Sequence, residues 1–159
     1  ALEQIIPNKK IDPNNYIEPD ELVNLIEVFW KEKDRFIDGY VQKNPLNLTY
    51  RNLNIIKDFK YGMRKNFLLA VYEKNYTVLN DEGINYMVKG LNENLDKFIP
   101  AEKTPMLIQT AIMPFNGMII YDGFISTADM QLSQDLVSKA FEDYSYGQKI
   151  YSLLPKNMN

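Results

Sequence analysis

The chain has 159 residues, a net charge of −3, 45% hydrophobic residues and 25% charged residues, which is the composition of a globular protein with a substantial core. It contains no histidine and no cysteine. This composition excludes serine–histidine and cysteine–histidine catalytic sites, zinc sites built on nitrogen or sulfur ligands, and disulfide bonds.

The N-terminal part is predicted to be helical after an extended arm over residues 1–18, which are polar and rich in proline and asparagine. Pro19 precedes two acidic residues, as at a helix start, and apolar residues recur at steps of three and four as far as Tyr40. Thr49 is a suitable N-cap for a second helix that runs to about Lys65. The short loop between the two helices predicts an antiparallel helical hairpin.

A cluster of strands is predicted next. Short apolar runs rich in strand-forming residues cover 67–72, 76–79 and 84–88, and turn residues separate them. Residues 90–99 are ambiguous, because their leucines and phenylalanine fit one or two helical turns.

The strongest hairpin signal is the pair Asn116-Gly117, which tolerates the positive φ angles of a tight turn. We expect it to join strands over 106–113 and 117–125. Pro114 cannot donate a hydrogen bond to a neighbouring strand, so we also expect a bulge or a loop of four or five residues.

The C-terminal part is predicted to hold a third helix. Ser126 or Thr127 is the expected N-cap, and Gly147 is the expected stop. A tail is expected over 155–159. Helices, then strands, then a helix indicate an α+β fold, with the helical hairpin packed on a small, mainly antiparallel sheet and a single domain over 19–154.

The segment from Met113 to Gly123, with the sequence MPFNGMIIYDG, resembles a family of uncharacterised bacterial proteins, mostly from Firmicutes, in which a PFxGxIIYDG hairpin recurs. The resemblance extends over about residues 67–154 and includes YMVKGL at 86–91. Some members of the family carry a SEC-C type zinc motif, which does not carry over because this chain lacks cysteine and histidine. The resemblance implies a strand over 84–90 and carries no information about catalysis.

A basic stripe is the first candidate site. Steps of three and four place Lys57, Lys60 and Arg64 on one face of the predicted second helix, where they can contact a phosphate backbone or another anion. An ordinary solvated helix face has the same pattern. The candidate nucleic-acid or anion face over 51–65 consists of Arg51, Lys57, Lys60, Arg64 and Lys65.

The second candidate site is Tyr121 with Asp122. An aspartate exposed at a strand end beside an aromatic residue suits an acid, a base, a metal ligand or part of a ligand cleft. Asp122-Gly123 is also a simple turn pair, and turn chemistry alone explains both residues. No glycine-rich phosphate loop accompanies either candidate.

These patterns favour a non-enzymatic interaction or regulatory module that binds a protein partner and needs no catalytic residue, metal or cofactor. Nucleic-acid association through residues 51–65 is the alternative, and a carboxylate-based enzyme around Asp122 is the third. The sequence has no membrane-spanning apolar run, and its first residues lack the pattern of a signal peptide, so we expect a cytoplasmic bacterial protein. A homodimer is left open.

Overall fold

The computed structural model describes residues 17–127 and 132–156. The predicted mixed α+β class is confirmed, because the described residues form four α-helices and one seven-stranded sheet. They divide into two compact units, of which the first ends at Lys60 and the second begins at Tyr61, where the sequence predicted one domain over 19–154. Most of the arm (1–16) and the end of the tail (157–159) lie outside the described residues.

Three helices precede the strands, and the fourth helix lies near the C-terminus. The elements are α1 (Pro19–Lys31), α2 (Lys33–Lys43), α3 (Tyr50–Asp58), β1 (Met63–Glu73), β2 (Tyr76–Asp81), β3 (Ile84–Lys89), β4 (Met106–Phe115), β5 (Met118–Tyr121), β6 (Ser126–Thr127), α4 (Gln134–Tyr146) and β7 (Gln148–Ile150).

The first unit consists of α1, α2 and α3. The single helix predicted from Pro19 is interrupted at Glu32, whose φ of −118° and ψ of 22° are not helical. The rings of Phe29 and Phe36 stack across this break with their centroids 6.1 Å apart. Leu25, Phe36 and Ile37 are buried, and α2 packs against α3. None of the described helices is long and apolar enough to span a membrane.

The start of α3 was predicted correctly, because the Thr49 hydroxyl accepts a hydrogen bond from the Asn52 backbone N–H at 3.3 Å. Its predicted end at Lys65 is wrong. The α-helix ends at Asp58 and a single 3₁₀ turn follows. Gly62 is unfavourable in a helix interior, and the residues directly after it pair with β4, which outweighs their helical spacing.

The five strands β1 to β5 of the second unit close into a ring, hereafter the barrel. The first half of β1 pairs antiparallel with β4 and its second half with β2. The register shifts between Leu69 and Val71, so β1 carries one extra residue there, and such a bulge bends a strand. The order around the ring is β1-β2-β3-β5-β4, and only β3 and β5 are parallel neighbours within it.

Alternating apolar residues of these strands point into the barrel, as the period of two along a strand requires. Leu95 and Ile99, from the connection between β3 and β4, join this core. The buried members are Phe67, Leu69, Leu79, Tyr86, Val88, Leu95, Ile99, Ile108, Ile112, Ile119 and Tyr121.

The predicted hairpin at Asn116-Gly117 joins β4 and β5. The two turn residues have φ angles of 48° and 77°, and Phe115 pairs directly with Met118. The expected bulge or wider loop is therefore wrong. Pro114 pairs with Ile119, next to the pair that closes the turn, where its missing N–H is not required by β5.

The third predicted helix starts later than expected. Ser126 and Thr127 form β6, which pairs with β4, and Ser133 is the N-cap of α4, accepting from the Leu136 backbone N–H at 3.3 Å. This helix covers the outer face of β1, β2 and β3, where Val78 and Met87 are buried.

Candidate functional site

The second unit contains an open cleft of about 740 Å³. One wall is the end of β5 with the residues that follow it, and the other is the connection between β3 and β4. Its volume lies in the usual range for ligand sites. The cleft is lined by Leu91, Asn92, Glu93, Phe98, Tyr121, Asp122, Gly123 and Ile125.

Residues 90–99, hereafter the cap segment, are held on the barrel by two tyrosines. Tyr121 donates its hydroxyl hydrogen to the carbonyl oxygen of Glu93 at 2.8 Å, and Tyr72 donates to that of Ile99 at 2.8 Å. Leu95 lies between these bonds and is fully buried in the barrel core. One wall of the cleft is therefore fixed in place although it contains only a single 3₁₀ turn.

The cap segment begins with a close backbone approach at Gly90. A Cβ atom on this residue would lie 1.8 Å from the carbonyl oxygen of Glu93, so only glycine fits the observed backbone. The Gly90 backbone N–H donates to the side-chain oxygen of Asn94 at 3.0 Å. These contacts fold the chain back on itself and place Glu93 at the cleft.

Asp122 both forms a turn and lines the cleft, and these are two of the interpretations that the sequence left open. Its carboxylate accepts from the Phe124 backbone N–H at 3.0 Å, which forms the predicted turn, and from the buried Thr110 hydroxyl at 3.4 Å. Its own backbone N–H donates to the carbonyl oxygen of Ala111 at 3.0 Å. The side chain is half-buried and still lines the cleft.

The charged side chains that line the cleft are acidic. Burial raises the pKa of the Tyr121 hydroxyl, and the nearby carboxylates of Glu93 and Asp96 raise this pKa further. Burial also raises the pKa of Asp122, against the effect of its hydrogen bond from Phe124 and of the nearby Arg64. The cleft lining itself contains two acidic residues and no basic one.

Large apolar side chains at this site remain in contact with solvent. Leu91 is 57% exposed and Phe98 is 59% exposed, and both line the cleft. Phe124, which directly follows Gly123 of the lining, is 42% exposed. Exposed apolar groups that cluster beside a concave surface are typical of binding sites.

The five basic residues predicted on one helix face do not share an element. Arg51 and Lys57 lie exposed on α3, and Lys60 follows this helix and forms an ion pair with Asp38, the charged atoms being 2.5 Å apart. The other two belong to the second unit.

In the second unit, Arg64 and Lys65 lie on β1, and their side chains point to opposite faces of this strand. Arg64 donates to the Gln109 side chain at 3.3 Å, and Lys65 forms an ion pair with Asp81. The stripe over 51–65 is therefore wrong as one helix face, because the chain changes from helix to strand within it.

The cleft residues other than Tyr121 and Asp122 were missed by sequence reasoning. Leu91, Glu93 and Phe98 lie between 23 and 30 residues before Tyr121, in the segment whose pattern was ambiguous. The isolated Gly90 between a strand and this apolar pattern was the available signal, since such a glycine often marks a close backbone approach.

The part of the chain that the structure describes contains no group of three or more acidic side chains arranged to hold a metal ion. Comparisons with protein-family models, with curated proteins and with solved structures found no match to this chain. The candidate site therefore has to be interpreted from its own geometry.

Proposed function

We propose that this protein is a non-enzymatic interaction module that binds a protein partner through the cleft between the cap segment and the end of β5. The observation that carries this proposal is the exposure of Leu91 and Phe98 on the walls of a preformed concave surface. Covering such side chains on binding removes apolar area from water, which favours association by about 25 cal/mol for each Å².

The arrangement of Asp122 supports binding rather than catalysis. Its carboxylate already accepts two hydrogen bonds, one of them within its own turn, as a positioning group does. Tyr121, the other candidate, donates its hydroxyl hydrogen to the Glu93 carbonyl and is thereby committed to the wall of the cleft. Both side chains shape the site in this proposal.

A selection from a random peptide library tests the proposal. Peptides selected on the wild-type protein should bind a Leu91→Ser, Phe98→Ser variant at least tenfold more weakly, because the substitutions remove the apolar walls. Both side chains are largely exposed, so the variant should fold normally, as circular dichroism would verify.

The matched control is Leu136→Ser with Phe141→Ser on α4, where both side chains are also about half exposed. Binding should survive in this control. If every selected peptide binds the cleft variant as tightly as the wild type, the cleft is not a recognition site and the proposal is wrong.

Nucleic-acid association is the second candidate function, and a different set of residues supports it. The ring order β1-β2-β3-β5-β4 is that of OB-fold barrels, which bind oligonucleotides on β2 and β3 and at the loop between β1 and β2. Tyr76 follows that loop, and Lys89 Nζ lies 4.9 Å from the centre of its ring. The half-exposed Tyr151 packs edge-on against Tyr76, with centroids 5.5 Å apart.

Such an aromatic and basic group can stack on a base and contact a phosphate. Two observations weigh against this candidate: α4 covers much of the outer face of β2 and β3, and the chain carries a net charge of −3. Binding of a fluorescent single-stranded oligonucleotide at low and at raised salt concentration tests it, because phosphate contacts weaken steeply with salt. Tyr76→Ala with Lys89→Ala should abolish such binding, and Arg51→Ala with Lys57→Ala serves as the matched pair on α3.

Three further predictions from the sequence are retained here as proposals. They are the membership of the bacterial family with the PFxGxIIYDG hairpin, a cytoplasmic location, and the packing of the helical hairpin on the sheet. A homodimer is an open alternative, which sedimentation equilibrium of the full chain would decide.

A further inference from the structure

We propose that the partner segment bound in the cleft carries a lysine or arginine flanked by apolar residues. This inference rests on the proposed function, because it names the chemistry of the ligand for the same cleft. The apolar neighbours would cover Leu91 and Phe98, and the cationic group would lie between the carboxylates of Glu93 and Asp122.

Charge complementarity carries this inference. Glu93 and Asp122 are the charged residues of the cleft lining, and both are acidic. Asp96 adds a third carboxylate, which is close enough to Tyr121 to raise the pKa of its hydroxyl. Neither Glu93 nor Asp96 forms an ion pair with another described residue. An acidic surface of this kind attracts a basic partner and repels an acidic one.

The nearby basic residue, Arg64, is not part of the cleft lining. Its guanidinium group donates to the Gln109 side chain, and its charge lowers the pKa of Asp122, although burial has the larger effect. Phe98 adds an attraction of its own, because an exposed aromatic ring binds a cationic group over its face. An acidic cleft with an aromatic wall therefore suits a basic side chain better than a neutral polar one.

Peptides selected from a random library on the wild-type protein test the inference. Those whose binding depends on Phe98 should be enriched in lysine or arginine beside apolar residues. Replacing that basic residue by norleucine, which keeps the length but not the charge, should weaken binding about tenfold. The Glu93→Gln, Asp122→Asn double variant should cause a similar loss of binding. Its fold should be retained, since the amide oxygen of the introduced asparagine can still accept the hydrogen bond from the Phe124 backbone N–H.

The control is Asp135→Asn with Glu142→Gln on α4, which changes the net charge by the same amount away from the cleft. Binding should remain within about twofold of the wild type in this control, because rim charges far from a site contribute little to affinity. Cleft-dependent peptides that are acidic or uncharged would overturn this inference and leave the proposed function intact. A selection that yields no cleft-dependent peptide would overturn both.

Discussion

The side-chain amide of Asn85 donates a hydrogen bond to the carbonyl oxygen of Tyr144 at 3.1 Å, and this bond joins β3 to the last turn of α4. The same amide group approaches the Asp143 carbonyl at 3.4 Å, and its oxygen accepts from Asn80 at 2.8 Å. The last carbonyls of a helix have no partner within the helix, so a buried amide at this position satisfies groups that would otherwise lack a hydrogen bond.

We expect Asn85→Ala to lower the free energy of unfolding by about 1–3 kcal/mol, because it leaves the Asn80 amide and the Tyr144 carbonyl without a buried partner. Equilibrium denaturation in urea measures the change. The matched control is Asn66→Ala on β1, where the asparagine is exposed, and its effect should stay within about 0.5 kcal/mol. Equal effects in the two variants would contradict a role for Asn85 in holding α4.

Gly90→Ala should destabilise the second unit by about 1–3 kcal/mol, because the new methyl group overlaps the Glu93 carbonyl and the backbone must move. The shift also displaces the Glu93 carbonyl, which accepts the hydrogen bond from the Tyr121 hydroxyl. Peptide binding in the cleft should therefore be lost together with the stability of the second unit. Gly39→Ala in α2 is the control, since open space surrounds it and alanine favours a helix by about 0.5–1 kcal/mol. Thermal unfolding, monitored by circular dichroism, should show a loss of stability in Gly90→Ala and a gain of stability in Gly39→Ala.

Gly117→Val should lower the stability by more than about 1 kcal/mol, because a β-branched residue is strained at the φ of 77° that this turn requires. Gly117→Asn should cost clearly less, since asparagine tolerates the left-handed region. Chemical denaturation of both variants gives the comparison. Valine and asparagine variants of equal stability would show that the turn relaxes to another conformation.

Tyr72 should make the stability depend on pH in alkaline solution. Burial, followed by the charge of Asp96, raises the pKa of its hydroxyl to about 12 from the ordinary value of 10.0. A group whose pKa is higher in the folded state stabilises the fold fully below its unfolded pKa, and this contribution is lost as the pH rises from about 10 towards 12.

The wild-type protein should therefore lose stability more steeply above about pH 10 than the Tyr72→Phe variant, in which this group cannot ionise. Tyr50→Phe, at a side chain that is 76% exposed, should follow the wild-type curve. Unfolding free energies between about pH 8 and 11 give the comparison. Parallel curves for wild type and Tyr72→Phe would contradict the burial of the Tyr72 hydroxyl.

Local signals in the sequence were sufficient for the elements that short-range chemistry controls. Thr49 begins α3, and Asn116-Gly117 forms the turn between β4 and β5, because caps and tight turns depend on a few adjacent residues. Short apolar runs rich in strand-forming residues, with turn residues between them, likewise predicted the strands of the first two hairpins. These features do not depend on which other part of the chain is nearby.

Long-range pairing decided the rest. Arg64 and Lys65 follow the helical spacing of Lys57 and Lys60, yet they lie on β1, where they pair with Ala111 and Thr110 of β4. The gain from pairing with this neighbouring strand exceeds the small preference of a few residues for a helix.

The composition alone excluded every site in this chain that needs a histidine or cysteine side chain, since the chain contains neither residue. The cleft, in contrast, exists only in the tertiary structure. Glu93 and Phe98 meet Asp122 because Tyr121 and Tyr72 hold the cap segment on the closed barrel. The spacing of these residues along the chain does not predict that they lie close together. Their proximity depends on closure of the ring between β1 and β4 and on the burial of Leu95 inside the barrel.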